Sequence, residues 1–360
     1  MSQGKLTIVL NLKDRSPFTY RWIRYMNDMR CPYKILIADG GKDEAVEADL
    51  RRPENYPHLN YEYIRYPYDS TLDVFLAKLE SITSRVQTEY LLQADNDDFY
   101  LLERIPELLE FLDRHPDHVG ARGQLVNFEV FDAAGQRNGL TEGSRYKAIG
   151  NDAPSIDSDD AMLRIETLCR DMSKYDYYAN WYCVFRAPAF QEIWKNLVTL
   201  HVKEIIVLEI LSHVMIAKKG KIRITPAPFY LRQSNTSEFG DTLVVGNEFL
   251  ERCMVNNAFS EFAVAIDRFV PVDSPDERDR ILKAIASWLE IFVSNIYHNR
   301  SRSVGVTARL RRGVKTLPYF GPVLERCYIG CSHLLAPMRR RRVLRFKSVE
   351  PYFITSGSKS

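Results

Sequence analysis

Over its first 130 residues the chain alternates short apolar runs with amphipathic stretches. "KLTIVLNL" (5–12) is apolar and rich in β-branched residues, so it reads as a buried strand. In "PFTYRWIRYMNDM", Phe18, Trp22 and Met26 recur at i, i+4 and i+8, the spacing of one helical face. "YKILIADGG" (33–41) predicts a second strand closed by a turn, and "LNYEYIRY" (59–66) a third. "TLDVFLAKLESITSRV" (71–86) predicts a helix with Leu72, Phe75, Leu76, Leu79 and Ile82 on one face. A strand at "TEYLLQA" (88–94) and a helix at "ERIPELLEFLDRH" (103–115) follow. Such alternation predicts an α/β domain with a mainly parallel sheet flanked by helices.

Beyond residue 117 the alternation loosens. "VGARGQLVNFEVFD" is strand-like, and residues 132–160, rich in Gly, Asn, Asp and Ser, read as a long surface loop. The aromatic run "DYYANWYCVFRA" (176–187) reads as a strand, "VKEIIVLEILSHVMIAKKG" (202–220) as a helix ending at Gly, and "KIRITPAPFYLRQ" (221–233) as a strand. Two helices are expected within 246–299.

Composition adds an asymmetry. The chain has 360 residues, 45% hydrophobic and 27% charged, an ordinary globular balance. Its net charge of +2 hides a basic end: residues 300–360 hold 14 Lys+Arg against Glu325 and Glu350, while the rest is net acidic. The scattered cysteines Cys31, Cys169, Cys183, Cys253, Cys327 and Cys331 predict buried free thiols, and Cys327-x-x-x-Cys331 lacks the second pair of a zinc site. No secretory signal opens the chain, and no apolar run reaches the roughly 20 residues of a spanning helix. A cytoplasmic location fits best.

Two D-x-D-D clusters stand out. Asp95, Asp97 and Asp98 follow the strand "EYLL", where ligands bind α/β sheets, beyond the carboxyl ends of strands. Three carboxylates there disfavour one another's charge unless a cation neutralises them, and oxygen ligands suit Mg²⁺ or Mn²⁺. Asp157, Asp159 and Asp160 lie instead in loop sequence before "AMLRIETLCRDM", where carboxylates most simply cap a helix.

With these segments in hand, residues 5–235 resemble the nucleotide-sugar glycosyltransferases of the GT-A fold, especially the large inverting family two. "TIVLNLKDR" (7–15) stands for the opening strand and loop, "ILIADGG" for the strand ending in Asp39, and "YLLQADNDDFYLLERIPELLEFL" for the strand, acidic motif and helix. "LEILSHVMIAKKG" puts Glu209 at the second acid of a later helix, and "PFYLRQSNTSE" resembles a bacterial branch. Lys13 and Asp14 depart from the usual pattern, and "YPYDSTLDVFLAKLES" replaces the usual segment before the metal strand. The resemblance implies a GT-A, Rossmann-like domain at 1–240, with a nucleotide-sugar and metal half at 1–130 and an acceptor half at 131–240. A helical region at 241–299 and a basic extension at 300–360 would follow.

The resemblance also implies roles. Asp39 would contact the base, with Leu12, Asp14 and Arg15 beside it. Asp95 would face the ribose or diphosphate, and Asp97 and Asp98 would hold Mn²⁺ or Mg²⁺, with His213 a candidate third ligand. Arg232 would bind the diphosphate, or is an ordinary surface arginine. Glu209 shares a helical face with Val202, Ile205, Ile206, His213 and Ile216, and an acid in an apolar stripe has the raised pKa of a general base. A structural Glu209–His213 ion pair is the other reading, and Glu204 an alternative base. Tyr177, Tyr178, Trp181 and Tyr182 pack in the core or stack on a sugar.

The expectation is a metal-dependent, inverting transferase that moves sugar from a nucleoside-diphosphate donor to a glycan or lipid-linked hydroxyl acceptor in bacterial envelope glycan synthesis. A sugar-phosphate nucleotidyltransferase shares the sheet and metal, but "NLKDRSPFTY" lacks the Gly-rich loop such enzymes carry. A non-catalytic GT-A-like binding module would need no base. "RLRRGVK" and "MRRRRVLRFK", interleaved with apolar residues, fit an anionic membrane surface and a peripheral position on the inner face of the membrane. The acidic body argues against a nucleic-acid partner.

Overall fold

The computed structural model describes residues 4–135, 140–202, 205–234, 257–270, 272, 274–303 and 344–354. Glu204, Cys253, Cys327, Cys331 and the basic clusters at 309–315 and 338–343 lie outside these residues.

The expected N-terminal alternation is present. β1 (Leu6–Leu12), α1 (Ser16–Asp28), β2 (Lys34–Asp39), α2 (Glu44–Leu50), β3 (Tyr61–Arg65), α3 (Leu72–Ser84) and β4 (Tyr90–Asp95) follow in order. β1 pairs in parallel with β2 and β4, and β2 with β3. After the acidic turn come β5 (Phe99–Tyr100), α4 (Ile105–Arg114), β6 (His118–Phe131), β7 (Arg145–Gly150), α5 (Ala161–Tyr175), β8 (Val184–Arg186), α6 (Ala187–Leu197), α7 (Ile205–Lys219) and β9 (Lys221–Gln233). The nine-stranded sheet runs β3-β2-β1-β4-β8-β6-β9-β5, with β7 on β6. Its second half is mixed: β6–β9 is parallel, whereas β8, β5 and β7 pair antiparallel.

Two expectations for the second half change. Residues 132–160 contain β7, whose Tyr146 and Ala148 alternate inward against β6. The run 176–187 is a 3-10 turn (Tyr177–Tyr182) followed by only three strand residues. Asp176 in the left-handed region at φ 49° turns the chain there, and tertiary packing overrides the strand preference of its aromatics.

Helices cover both faces. Leu12, Trp22, Ile23, Leu108 and Phe128 fill one core with the strap Leu344–Ile354, and α3, α5, α6 and α7 fill the other. α8 (Asn257–Phe269) and α9 (Pro275–Ser303) add Phe262, Ile285 and Trp288 to the latter and pack on α7 and α5. Cys31, Cys169 and Cys183 are buried free thiols.

A buried ion pair joins the layers beneath the strand ends. Lys78 on α3 pairs with Asp69 after β3 and donates to the Leu12 carbonyl at 3.0 Å. Both side chains are 1% exposed, and burial lowers the Lys78 pKa and raises that of Asp69. Removing one partner strands the other's charge. Lys78→Met should therefore cost about 3–5 kcal/mol in urea unfolding, and the double variant Lys78→Met/Asp69→Asn distinctly less. An equal loss in both would mean the stranded charge is not the cause.

Candidate functional site

The candidate site lies where β1, β2 and β4 end. The chain leaves β1 with Asp14 and Arg15 both at positive φ, 53° and 58°, a conformation that costs a non-glycine residue about 1–3 kcal/mol. Gly41 lets the β2 loop approach: a Cβ there would sit 2.7 Å from the Asp14 nitrogen. Asp14 accepts from the Lys42 N–H at 2.9 Å and the Tyr68 hydroxyl at 3.3 Å. Lys13 and Lys42 lie over the Tyr68 ring, 5.4 and 3.9 Å from its centroid.

Asp39 is buried at the end of β2. It accepts from the Gly41 N–H at 2.7 Å, the Tyr63 hydroxyl at 2.6 Å and Arg65 Nη1 at 2.7 Å. Its carboxylate is thus fixed and neutralised before any ligand arrives. Tyr63 and Arg65, two apart on β3, were missed in the sequence, although that spacing puts them on one strand face.

The acidic turn occupies the other end. Asp95 is half-buried and accepts from the Tyr182 hydroxyl; burial first, then the neighbouring Asp97 charge, pushes its pKa up to about 6. Asp97 accepts from both terminal nitrogens of Arg15, each at 3.1 Å. Asp98 is buried with both oxygens engaged, one by the Tyr230 hydroxyl and the other by the Gln233 N–H at 2.8 Å. Burial holds the Asp98 pKa well above the usual carboxylate range. Tyr182, Tyr230 and Tyr100 stack in a ladder, with centroids 4.4 and 5.2 Å apart.

Arg21, also unforeseen, holds the turn from below. It is buried, donating to the Asp97 carbonyl at 2.8 Å, Gln233 Oε1 at 2.7 Å and the Thr141 carbonyl at 2.9 Å. Burial lowers its pKa to about 9, against the pull of Asp97 and Asp98. Its sequence signal was slight: a charged residue beside Trp22, within the turn between Phe18 and Trp22 on the core face of α1.

Glu209 and Arg232 complete the group. The Glu209 carboxylate makes no hydrogen bond or ion pair among the described residues. Burial pushes its pKa up to about 7; Arg232 opposes the shift and Asp95 adds to it. Arg232 stands at the end of β9. Desolvation weakens its charge, but Tyr230, Asp98, Tyr182 and Glu209 outweigh that and raise its pKa. His213 does not pair with the carboxylate. Its Nδ1 meets the Glu209 main-chain carbonyl, and its ring stacks on Trp181 at 6.1 Å. Burial lowers its pKa to about 4, so it sits in the core as a neutral ring. Tyr177 and Trp181 are likewise core residues.

The second acidic cluster lies elsewhere. Asp160 caps α5, accepting from the Met162 and Leu163 N–H groups at 2.7 and 3.3 Å, and exposed Asp159 pairs with Lys221. Asp95, Asp97, Arg15, Arg232 and Glu209 are therefore neighbours at one end of the site, with Asp14 and Asp39 at the other. Leu12, expected beside Asp39, is instead a core residue, 2% exposed, whose carbonyl is taken by the Gly40 N–H and Lys78. Lys78, which feels both Asp39 and Asp95, lies between.

No protein-family model matches the chain, and no curated protein does. Among solved structures, S. aureus TarS 1–349 in complex with UDP-GlcNAc is similar at 11% identity and a TM-score of 0.54, over 90% of this chain and 87% of that one. Its complex with UDP gives 0.50 over the same shares. The mannosyltransferase PcManGT from Pyrobaculum calidifontis, in complex with GDP-Man and Mn²⁺, aligns at 11% identity and a TM-score of 0.46, over 94% and 88%. The chain has the fold of the TarS structure, a GT-A-like arrangement.

The raised Glu209 pKa carries a stability signature. Between about pH 4.5 and 7 the folded chain holds a proton on Glu209 that the unfolded chain has released. Its contribution to stability is complete below that window and falls as pH rises through it. The melting temperature of the wild type minus that of Glu209→Gln should therefore fall from pH 4.5 to 7 and then level off. A difference independent of pH would mean Glu209 titrates normally.

Proposed function

We propose, from the fold shared with TarS and the carboxylates gathered at the strand ends, that this chain is a glycosyltransferase using a nucleoside-diphosphate sugar. The observation that carries the reading is Glu209: a carboxyl with no hydrogen-bond or ion-pair partner among the described residues, poised near neutrality beside Asp95 and Arg232. A nucleotidyltransferase or a non-catalytic module has no use for such a base.

The acceptor hydroxyl gives its proton to Glu209 as its oxygen bonds to the anomeric carbon. The bond from that carbon to the diphosphate oxygen breaks, and the electron pair leaves with the diphosphate. Attack opposite the leaving group inverts the anomeric centre. Arg15 and Arg232 bring positive charge to this end of the site, where a diphosphate needs it. Asp14 lies at the nucleoside end, with the Asp39 carboxylate, held by Gly41, Tyr63 and Arg65, behind it.

Asp97 and Asp95 fit a hard divalent cation such as Mn²⁺ or Mg²⁺: two oxygen donors whose mutual repulsion a cation relieves. Among the described residues no three His, Cys, Asp or Glu side chains converge on one point, so diphosphate oxygens and water would complete the shell. Asp98, expected to be a metal ligand beside Asp97, is instead buried with both oxygens engaged, and anchors the turn. A bound cation would supply Lewis-acid neutralisation of the leaving diphosphate.

Glu209→Gln should lower kcat by ~10²–10⁴-fold while donor affinity barely changes. Wild-type activity should rise with pH through an apparent pKa near 7, since the base must be ionised. Asp97→Ala should abolish transfer and Asp159→Ala leave it within a few-fold; the reverse pattern would move the site to the second cluster. The product's anomeric configuration, read by NMR, reports inversion.

We also propose a lipid-linked or envelope-glycan acceptor met at an anionic bilayer through 300–360, whose basic residues would each contribute ~1 kcal/mol near such a surface. Among the described residues no helix is long and apolar enough to cross a membrane. The chain should sediment with phosphatidylglycerol vesicles at low salt and release as salt rises, and replacing Arg339–Arg342 by Ser should weaken this. Sedimentation unchanged by that replacement, or none by the wild type, would remove the membrane contact.

A further inference from the structure

We propose that the C-terminal strap, Leu344–Ile354, is a positioning element for the acidic turn, coupled to it through the 140–143 segment and Arg21. Its consequence for donor binding rests on the glycosyltransferase reading; the coupling itself does not. The strap lies far from the turn in sequence yet docks on the core beneath it. Phe346, Val349, Tyr352 and Phe353 are buried. The Leu344 N–H donates to the Ala148 carbonyl of β7 at 3.1 Å, and the Phe346 N–H to the Tyr146 hydroxyl at 3.0 Å.

Two routes lead from the strap to the turn. The first is aromatic. Phe353 stacks on Phe128, with centroids 4.9 Å apart, and both Phe353 (5.9 Å) and Tyr352 (6.5 Å) meet Phe99, the residue after Asp98. The second runs through hydrogen bonds. The Phe353 carbonyl accepts from the Gly143 N–H at 2.9 Å, in a register no side chain at 143 would allow, since a Cβ there would lie 2.3 Å from the Phe131 carbonyl oxygen. Two residues earlier, the Thr141 carbonyl accepts from Arg21, which also holds the Asp97 carbonyl and Gln233. Gln233 closes the circuit through its N–H to Asp98 and its side-chain amide to the Leu140 carbonyl at 2.6 Å.

The physical basis is the cost of a buried guanidinium. Arg21 has oxygens of neutral groups as its hydrogen-bond acceptors, and its Nε is already unsatisfied. A strap that leaves its seat frees Gly143, shifts the Thr141 carbonyl and leaves Arg21 short of a further acceptor. Arg21 then holds the Asp97 carbonyl in a looser geometry. A site of this kind tolerates only about 0.5 Å of displacement before it weakens.

The test compares full-length wild type with Phe353→Ala and the milder Phe353→Leu. Hydrogen exchange on the nucleotide-free protein should quicken about tenfold in segments 95–100, 140–144 and 231–234 of Phe353→Ala, with 6–12 and 34–39 unchanged. Phe353→Leu should lie between. UDP or GDP, whichever the wild type binds with Mn²⁺, should bind about tenfold more weakly, and Arg21→Gln added to Phe353→Ala should cost less than the two separate effects combined. Faster exchange confined to the strap and its aromatic neighbours, or spread evenly into β1 and β2, would overturn the coupling. The predicted exchange pattern in a wild type that binds neither nucleotide would support the coupling and count against the donor reading instead.

Discussion

The arrangement depends on one buried carboxylate. Asp98 reaches across from the turn after β4 to the Tyr230 hydroxyl and the Gln233 N–H on β9. Those two contacts, with the short β5–β9 pairing, close the N-terminal parallel sheet against the mixed second half. Burying a carboxylate is costly unless its lone pairs are used, and here both oxygens are engaged. With Asp98 fixed, its neighbours have little choice. Asp95 and Asp97 fall to Tyr182 and Arg15, and Arg232, two residues beyond Tyr230 on the same strand face, arrives beside them.

The charges around this anchor are balanced in layers. Arg21 sits beneath the turn and grips its main chain, while Arg15 takes the Asp97 carboxylate. Arg15 reaches Asp97 from a left-handed backbone position, a strained conformation held by Gly41 and the Asp14–Lys42 contact around it. Glu209 stands apart from the pairing. Its carboxylate is burdened by burial and by Asp95, and among the described residues Arg232 relieves it, which leaves its pKa near neutral.

Most of the N-terminal half was legible because its longer strands and helices carry their own period; the seven residues of α2 and the two of β5 were too short to show one. Asp95, Asp97 and Glu209 stood out because they are unusual residues for their local pattern. Less could be read where the signal was short or distant. The six residues of β7 alternate correctly, but they sit in a stretch whose Gly, Asn, Asp and Ser content reads as loop. The aromatics of 177–182 favour a strand locally and form a tight turn because they pack around α7 and the β4 end. Asp98 read as a metal ligand beside Asp97, since nothing local reveals that Tyr230, 132 residues later, supplies its partner. The docking of Leu344–Ile354 was hidden for the same reason: its neighbours in sequence are basic, and its described core contacts lie far back along the chain.

The central claim is the proposal that this site takes a nucleoside diphosphate at the acidic turn, where Asp97 would help to hold a divalent cation. Calorimetric titration of UDP and GDP, each with Mn²⁺ and with EDTA, tests it most directly. The account predicts that one of the two binds in the presence of Mn²⁺, that EDTA weakens the binding strongly, and that Asp97→Asn removes the difference between the two conditions. Binding of neither nucleotide, or equal binding with Mn²⁺ and EDTA, would contradict it.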